Sequence, residues 1–364
     1  MKNTLGTAVS LTLFGESHGP MIGAVLDGVT PGIPVDTAEI ARRMALRRSL
    51  AALSTARVER DEVEIVSGVY EGKTTGTPIT LLIKNENMRS SDYKKTESIA
   101  RPGHADLTAA YKYHGYADPR GGGHFSGRLT APIVAAGAIC AAALEKKGIL
   151  IGTHIARAAG IADRPFAADP REDILALSDR PFAVLSKEAG DAMQAAILAA
   201  RQAGDSVGGI LETAVIGMPT GVGEPFFDSL ESMLAHALFS IPAVKGVEFG
   251  DGFALSDMRG SEANDAIRSE NGRIVTATNR MGGILGGISN GMPLRIRIAV
   301  KPTPSIYLPQ ESVDLASGEN ASLCIAGRHD PAIVHRARIV ADSVVALVLC
   351  DAITQHLGTD TFLS

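Results

Sequence analysis

Tryptophan is absent from this 364-residue chain, and aromatic residues make up only 4 % of it. Its core must therefore be assembled from Ala, Ile, Leu and Val rather than around large rings. Cysteine is scarce: Cys140, Cys324 and Cys350 lie far apart with no Cys-x-x-Cys spacing. That excludes a disulfide framework and a zinc pattern, so no metal is expected. Excess charge of one sign is also lacking. The 35 Lys and Arg face 40 Asp and Glu, for a net charge of −5, so the overall field favours neither nucleic acid nor an anionic membrane. Any anion must be held by a local cluster. Long apolar runs are missing too, since the longest, 131–144, is too short to span a bilayer and reads as a buried helix. The N-terminal apolar stretch is short and alternating, unlike a signal peptide, and a cytoplasmic protein is expected.

Glycine, by contrast, is abundant, with 39 residues. They cluster at 15–32, 115–127, 204–223, 246–252 and 282–291, each cluster beside an apolar segment. Period-two alternation predicts strands at 7–14, 62–70, 77–84, 209–216 and 293–300. Helices are expected between them. "DTAEIARRMALRR" and "DSLESMLAHALFS" open with possible capping boxes, Asp36 with Glu39 and Asp228 with Glu231. Pro132 and Gly148 bracket one helix, Ser186 and Gly204 another, and a last long helix starts at "HDPAIVHRARIV". The halves echo one another: "GAVLDGVTPGIP" with "GGILETAVIGMPTGVG", "NMRSSDY" with "DMRGSEA", "PRGGGHFSG" with "NRMGGILGG". Duplication predicts one pseudo-two-fold domain over residues 1–364, and no linker argues against it.

"GVYEGKTTG" imitates a phosphate loop, but its glycine spacing is one residue short and a strand follows, so it is expected to be a tight hairpin. "RGGGHFSGR" is either a turn entering a helix or a nest of backbone N–H groups for an anion. "RRMALRR" is either a solvated face paired with Glu59, Asp61, Glu62 and Glu64 or a guanidinium clamp that also draws on Arg57 and Arg60. His18 in "GESHGP" and His104 in "RPGHAD" sit in glycine-flanked loops where an imidazole is placed for acid–base work. Asp330 before Pro331 reads as a helix N-cap that would leave Arg328 and His329 near a bound anion. The residues alone thus describe an α+β enzyme with an anionic substrate.

Seven segments in order, "FGESHGP", "RPGHAD", "RGGGHFSGR", "SIPAVKGVEFGDGF", "GGILGGISNGMP", "KPTPSI" and "GRHDP", resemble the chorismate synthase family across about residues 5–353. The resemblance implies a lyase of the shikimate pathway of aromatic amino acid biosynthesis. Its reaction is anti-1,4-elimination of phosphate from 5-enolpyruvylshikimate 3-phosphate, with reduced FMN required although there is no net redox change. NADPH would be an external reductant (the NADP link of the family), acting either at this chain or through a separate flavin reductase. The implied fold is a β-α-β sandwich, with helices between two largely antiparallel sheets, in a homotetramer.

Residue by residue, the resemblance makes His18 the acid for the departing phosphate, His104 the proton donor to reduced flavin and Asp330 a partner in removing the C6 hydrogen. The Asp330 role competes with capping. Substrate arginines fall on Arg47, Arg101 and Arg128, with Arg48 and Arg120 as additions, and Arg328 serves both substrate and flavin. Flavin contacts fall on Ser17, His124, Phe125, Ser126, Ala243, Gly286 and the stretch Lys301, Pro302, Thr303, Pro304 and Ser305. The chain departs from the family at "RRSLAALSTARVE", where a glycine is missing and the register of Arg48 and Arg57 shifts, at His124 where Arg is common, and at Pro242 where Asn is frequent. A non-catalytic flavin-binding protein and a flavin enzyme for another phosphorylated acid are the alternatives.

Overall fold

The computed structural model describes residues 2–50, 53–54, 60–86, 98–325 and 329–363. The first half runs β1 (Thr4–Leu5), β2 (Ser10–Gly15), β3 (Met21–Asp27), α1 (Thr37–Leu46), β4 (Val63–Ile65), β5 (Val69–Tyr70), β6 (Lys73–Thr74), β7 (Ile79–Lys84), α2 (Asp106–Tyr113) and α3 (Thr130–Glu145). The second half runs β8 (Leu150–Ala158), β9 (Ile161–Ala162), α4 (Arg171–Leu177), α5 (Lys187–Gln202), β10 (Gly209–Ile216), α6 (Leu230–Leu238) and β11 (Val244–Phe249). After α7 (Gly260–Ala263) come the hairpins β12 (Ile267–Glu270) with β13 (Arg273–Thr276) and β14 (Ile284–Leu285) with β15 (Ile288–Ser289). β16 (Leu294–Val300), the hairpin β17 (Gln310–Val313) with β18 (Asn320–Leu323), and α8 (Val334–Leu357) complete the order.

Two five-stranded sheets form, β1-β2-β3-β7-β4 and β11-β16-β10-β8-β9, with every pairing antiparallel. The alternation read in "LRIRIAV" is what buries every second residue of β16. α3 lies on the first sheet, α8 on the second, and the two helices pack on each other. The segment 120–145 is long and apolar enough to cross a bilayer, but 89 % of its apolar window is buried inside the protein. One core cluster joins both sheets and both helices. α4 lies outside this sandwich, where Ile174 and Leu177 make a smaller cluster with Ala214 on the outer face of β10.

The duplication is topological. β2, β3, α1, β4, β7 and α3 correspond in chain order and in sheet position to β8, β10, α6, β11, β16 and α8. The echo of "GAVLDGVTPGIP" by "GGILETAVIGMPTGVG" falls on the equivalent strands β3 and β10. A second echo does not fit: "PRGGGHFSG" precedes α3, whereas "NRMGGILGG" lies between β11 and β16. That resemblance is glycine composition. "NMRSSDY" falls outside the described residues.

Local signals held with three corrections. Asp36 caps α1 by accepting from the N–H groups of Ala38 and Glu39, but Glu39 turns to Arg42 and Arg43 instead of closing a box. Ser229, not Asp228, caps α6 by accepting from Ser232 N–H. Asp330 does not cap α8, whose N-cap is Ile333. The phosphate-loop imitation is the β5–β6 hairpin, with Glu71 and Gly72 both at positive φ (47° and 71°) as a type I′ turn requires.

Candidate functional site

α3 and α8 place their N-terminal ends together. Arg47, at the end of α1, ties them: Nε donates to Thr130 Oγ1 (2.9 Å), and its carbonyl accepts Nε of Arg336 (3.0 Å). Arg336 also pairs with Asp330 (2.6 Å), so the carboxylate expected to cap α8 is an ion-pair partner beside this cluster. The positive ends of two helix dipoles thus meet several cations in one place, which suits a polyanion.

Asp61 accepts from two buried guanidiniums, those of Arg47 (3.0 Å) and Arg128. Arg47 further donates to the carbonyls of Gly127 and Arg128. It is 4 % exposed and Arg128 is 7 % exposed, so both guanidiniums are built into the wall of the cleft. Arg128 donates to Asn85 Oδ1 (3.0 Å) and to the carbonyl of Lys84. Arg60, Asp61, Lys84, Glu86 and Arg128 line a cavity of about 340 Å³.

His18 and Ser17 occupy the β2–β3 connection and are buried. Ser17 N–H donates to the carbonyl of Gly123 (3.1 Å). Gly121, Gly122 and Gly123 all have positive φ (59°, 84° and 52°), and this lets the backbone fold tightly between two imidazoles. A Cβ on Gly121 would overlap the His18 ring, and one on Gly122 would lie 3.3 Å from Cε1 of His104. The glycine triplet therefore brings together the two histidines singled out in the sequence.

His104 Nδ1 bonds Asp106 (2.9 Å), and Arg101 forks onto the same carboxylate with Nε and Nη2 (both 2.7 Å). Burial would raise the Asp106 pKa, but the Arg101 and His104 bonds outweigh it and hold the carboxyl well below its ordinary value. The Arg101 loop is latched to the 301–305 stretch, with Lys301 Nζ donating to the carbonyl of Gly103. Lys301 N–H donates to the carbonyl of Ala243 (2.9 Å), a residue at φ 74°. Burial pushes the pKa of His329 down, helped by the charge of Arg101.

Other expected residues stand at the margin. His124 turns back to the carbonyl of Gly15 (2.9 Å), Ser126 caps the turn at Arg128 N–H, and Phe125 packs edge-on against Tyr113. Arg120 pairs with Asp118 on the surface, within electrostatic reach of His18, and lowers the Asp118 pKa. Arg48 is exposed and bonds the carbonyl of Arg60. Arg57 and Arg328 lie outside the described residues.

Gly286 is not brought to this cleft within one chain. It lies in the β14–β15 turn, and the carbonyl of Gly287 accepts Leu230 N–H. The same hairpin reaches Gly221 through Ser289, and Gly221 abuts His356 in the last turn of α8. Asp330 is at the other end of that 24-residue helix, roughly 30 Å away at 1.5 Å per residue.

The sequence reading missed Asn85, Asp106 and Arg336, and saw Asp61 only as a partner for a solvated face. Asp106 carried a signal, standing in "RPGHAD" at the first residue of α2.

As to a flavin, Oγ1 of Thr303 and Nε2 of His329 are buried with no hydrogen-bond partner among the described residues. Both border the Lys301 and Asp330 loops, so the polar groups present fit a ring edge rich in donors and acceptors.

Comparison with known proteins agrees in extent. A family model described as chorismate synthase matches residues 9–354. Chorismate synthase from Pyrococcus abyssi is 48 % identical over 346 residues, covering 95 % of this chain and 96 % of the relative. The Dehalococcoides mccartyi (strain BAV1) protein of the same name is 48 % identical over 355 residues, 96 % of each. A solved structure titled "Crystal Structure of Chorismate Synthase" superposes with a TM-score of 0.77 at 29 % identity, covering 98 % of this chain and 94 % of that one.

Proposed function

The chain belongs to the chorismate synthase family and is a lyase of the shikimate pathway, and from that premise we propose that its reaction is carried out in the cleft between His18, His104 and the N-terminal ends of α3 and α8. The reaction eliminates phosphate from 5-enolpyruvylshikimate 3-phosphate and requires reduced flavin, as the family does. Membership does not favour the non-catalytic binding protein or the enzyme for another acid.

The observation carrying this reading is the glycine triplet folded between His18 and His104. The substrate carries two carboxylates and a phosphate, so it must be gathered by cations in a chain of net charge −5. Arg101, Arg128 and Arg328 supply them, Arg120 stands at the rim, and Arg47 holds the frame. His18 gives a proton to the ester oxygen of phosphate as the C–O bond breaks, so that the leaving group departs less charged. Asp330, paired with Arg336, would assist removal of the C6 hydrogen, the role the resemblance gives it.

FMN is the flavin we assign, and His104, Phe125, Ser126, Ala243, Lys301, Thr303, Ser305 and Ser17 are the residues that would hold it. When bound and reduced it supplies electron density that helps expel phosphate. His104, its ring oriented by Asp106, would be the proton donor to the reduced flavin. Gly286 would come from a second chain, in keeping with a homotetramer. NADPH enters as external reductant through a separate flavin reductase, and the enzyme is cytoplasmic.

Anaerobic phosphate release with photoreduced FMN tests the reading, followed by oxidised FMN with NADPH. Turnover in the first mixture and none in the second is expected. No phosphate release with photoreduced FMN overturns the assignment of this cleft, and turnover in the second removes the need for a separate reductase.

A further inference from the structure

Asn85 follows the last residue of β7 and is buried. Its side-chain amide has no spare group: Nδ2 donates to the carbonyls of Glu16 (3.1 Å) and Gly19 (2.8 Å), and Oδ1 accepts Nε of Arg128 (3.0 Å). Its backbone N–H donates to the carbonyl of Pro20 (3.2 Å). Because a guanidinium only donates, Oδ1 must face Arg128 and Nδ2 must face the two carbonyls, which fixes the orientation of the amide.

Those carbonyls bracket Ser17 and His18. Resting on the reading of His18 as the acid, we propose that Asn85 is a positioning residue that ties the His18 turn to the anion-binding Arg128. Two donors and one acceptor at this length are what asparagine alone offers. Aspartate has the volume but no donors, leucine has neither, and glutamine is longer by a methylene. The amide holds the guanidinium of Arg128 through one hydrogen bond and the turn carrying His18 through two, so their relative positions are fixed together. The proton donor is thereby placed relative to the guanidinium on the anion side of the cleft.

Asn85→Asp keeps the size, pairs with Arg128 and repels both carbonyls. In the ligand-free protein, NMR titration of the His18 ring should show its midpoint moved upward by the new carboxylate. In the anaerobic assay kcat should fall about 10- to 100-fold with KM changed less than about threefold. In a His18→Ala background the same substitution should cost nothing further, since both act through one proton transfer. Losses that multiply in the double variant, or an unmoved His18 titration with unchanged kcat, overturn the proposal. If His18→Ala alone leaves turnover intact, the acid assignment fails separately, and the titration still decides whether Asn85 governs the ring. Should Asn85→Asp not fold, Asn85→Ser removes the same donors and takes its place, with the kcat loss and the double-variant result expected unchanged.

Discussion

Gly121 lies against the imidazole of His18 so closely that a single added methyl would occupy the ring's position. At φ 59° it is also in the left-handed region, where alanine is strained by about 1 kcal/mol. Gly121→Ala should therefore act on both stability and chemistry. We expect a melting temperature lowered by more than strain alone would give, because the buried ring must also move at a cost of about 1 to 3 kcal/mol, with kcat reduced about a hundredfold by displacement of the acid. Anaerobic turnover and thermal unfolding on one preparation check it, and a variant of full activity would show that His18 is not where the reaction needs it.

His18→Ala removes the proton without crowding. Phosphate release should slow by roughly two to four powers of ten while FMN and substrate still bind. Equilibrium titration of both ligands separates this from a collapsed site. The flavin should also bind more tightly in the presence of substrate, and equal FMN affinity either way counts against adjacent sites.

Much of this was legible in the sequence because it is local. Alternation in "LRIRIAV" gave β16, and the glycine-flanked histidines stood out because loops of that composition bring polar side chains to a surface. What could not be read is pairing between distant segments. Asp61 meets Arg47 and Arg128 across 14 and 67 residues, and nothing local distinguishes it from Glu59 or Glu62. Asn85 looks like the polar end of a strand until its amide is seen between two turns. The Asp330-Pro331 signal misled because the chain makes three more residues of loop before helix geometry begins at Val334, leaving the carboxylate free to meet Arg336.

Asp61 supplies one carboxylate to two buried guanidiniums. Its φ of 51° is one that asparagine tolerates, so Asp61→Asn removes the charge and one of the two acceptors without straining the backbone. Breaking such a buried pair costs roughly 3 to 5 kcal/mol. An external anion should then replace the missing one, so inorganic phosphate should raise the melting temperature of the variant more steeply than that of the wild type. Equal phosphate dependence would mean that Arg47 and Arg128 do not form an anion site once Asp61 is neutral.

His335 gives a prediction at the buried end of the same helix. The ring is fully buried, bonds Ser54 Oγ (2.8 Å) and stacks beside Phe182 at 27°. Burial, then the nearby charge of Arg336 against the weaker pull of Asp330, lowers its pKa from 6.5 to about 4. The folded protein thus holds the neutral ring, while the unfolded chain takes up a proton below pH 6.5. Stability is fully present above that value and is lost as pH falls toward about 4, amounting to about 2 kcal/mol between pH 7 and pH 5. His154 works in the opposite sense. Burial lowers its pKa, but the bonds to Asp163 and Glu212 outweigh it and raise the value, so the whole-protein curve mixes the two. Comparing His335→Leu with the wild type isolates the first. The variant should be less stable at pH 7, where packing and the Ser54 bond are lost, yet its stability should fall about 2 kcal/mol less on going to pH 5. Urea unfolding at the two pH values measures this, and parallel losses in both proteins would show that the ring is protonated in the folded state.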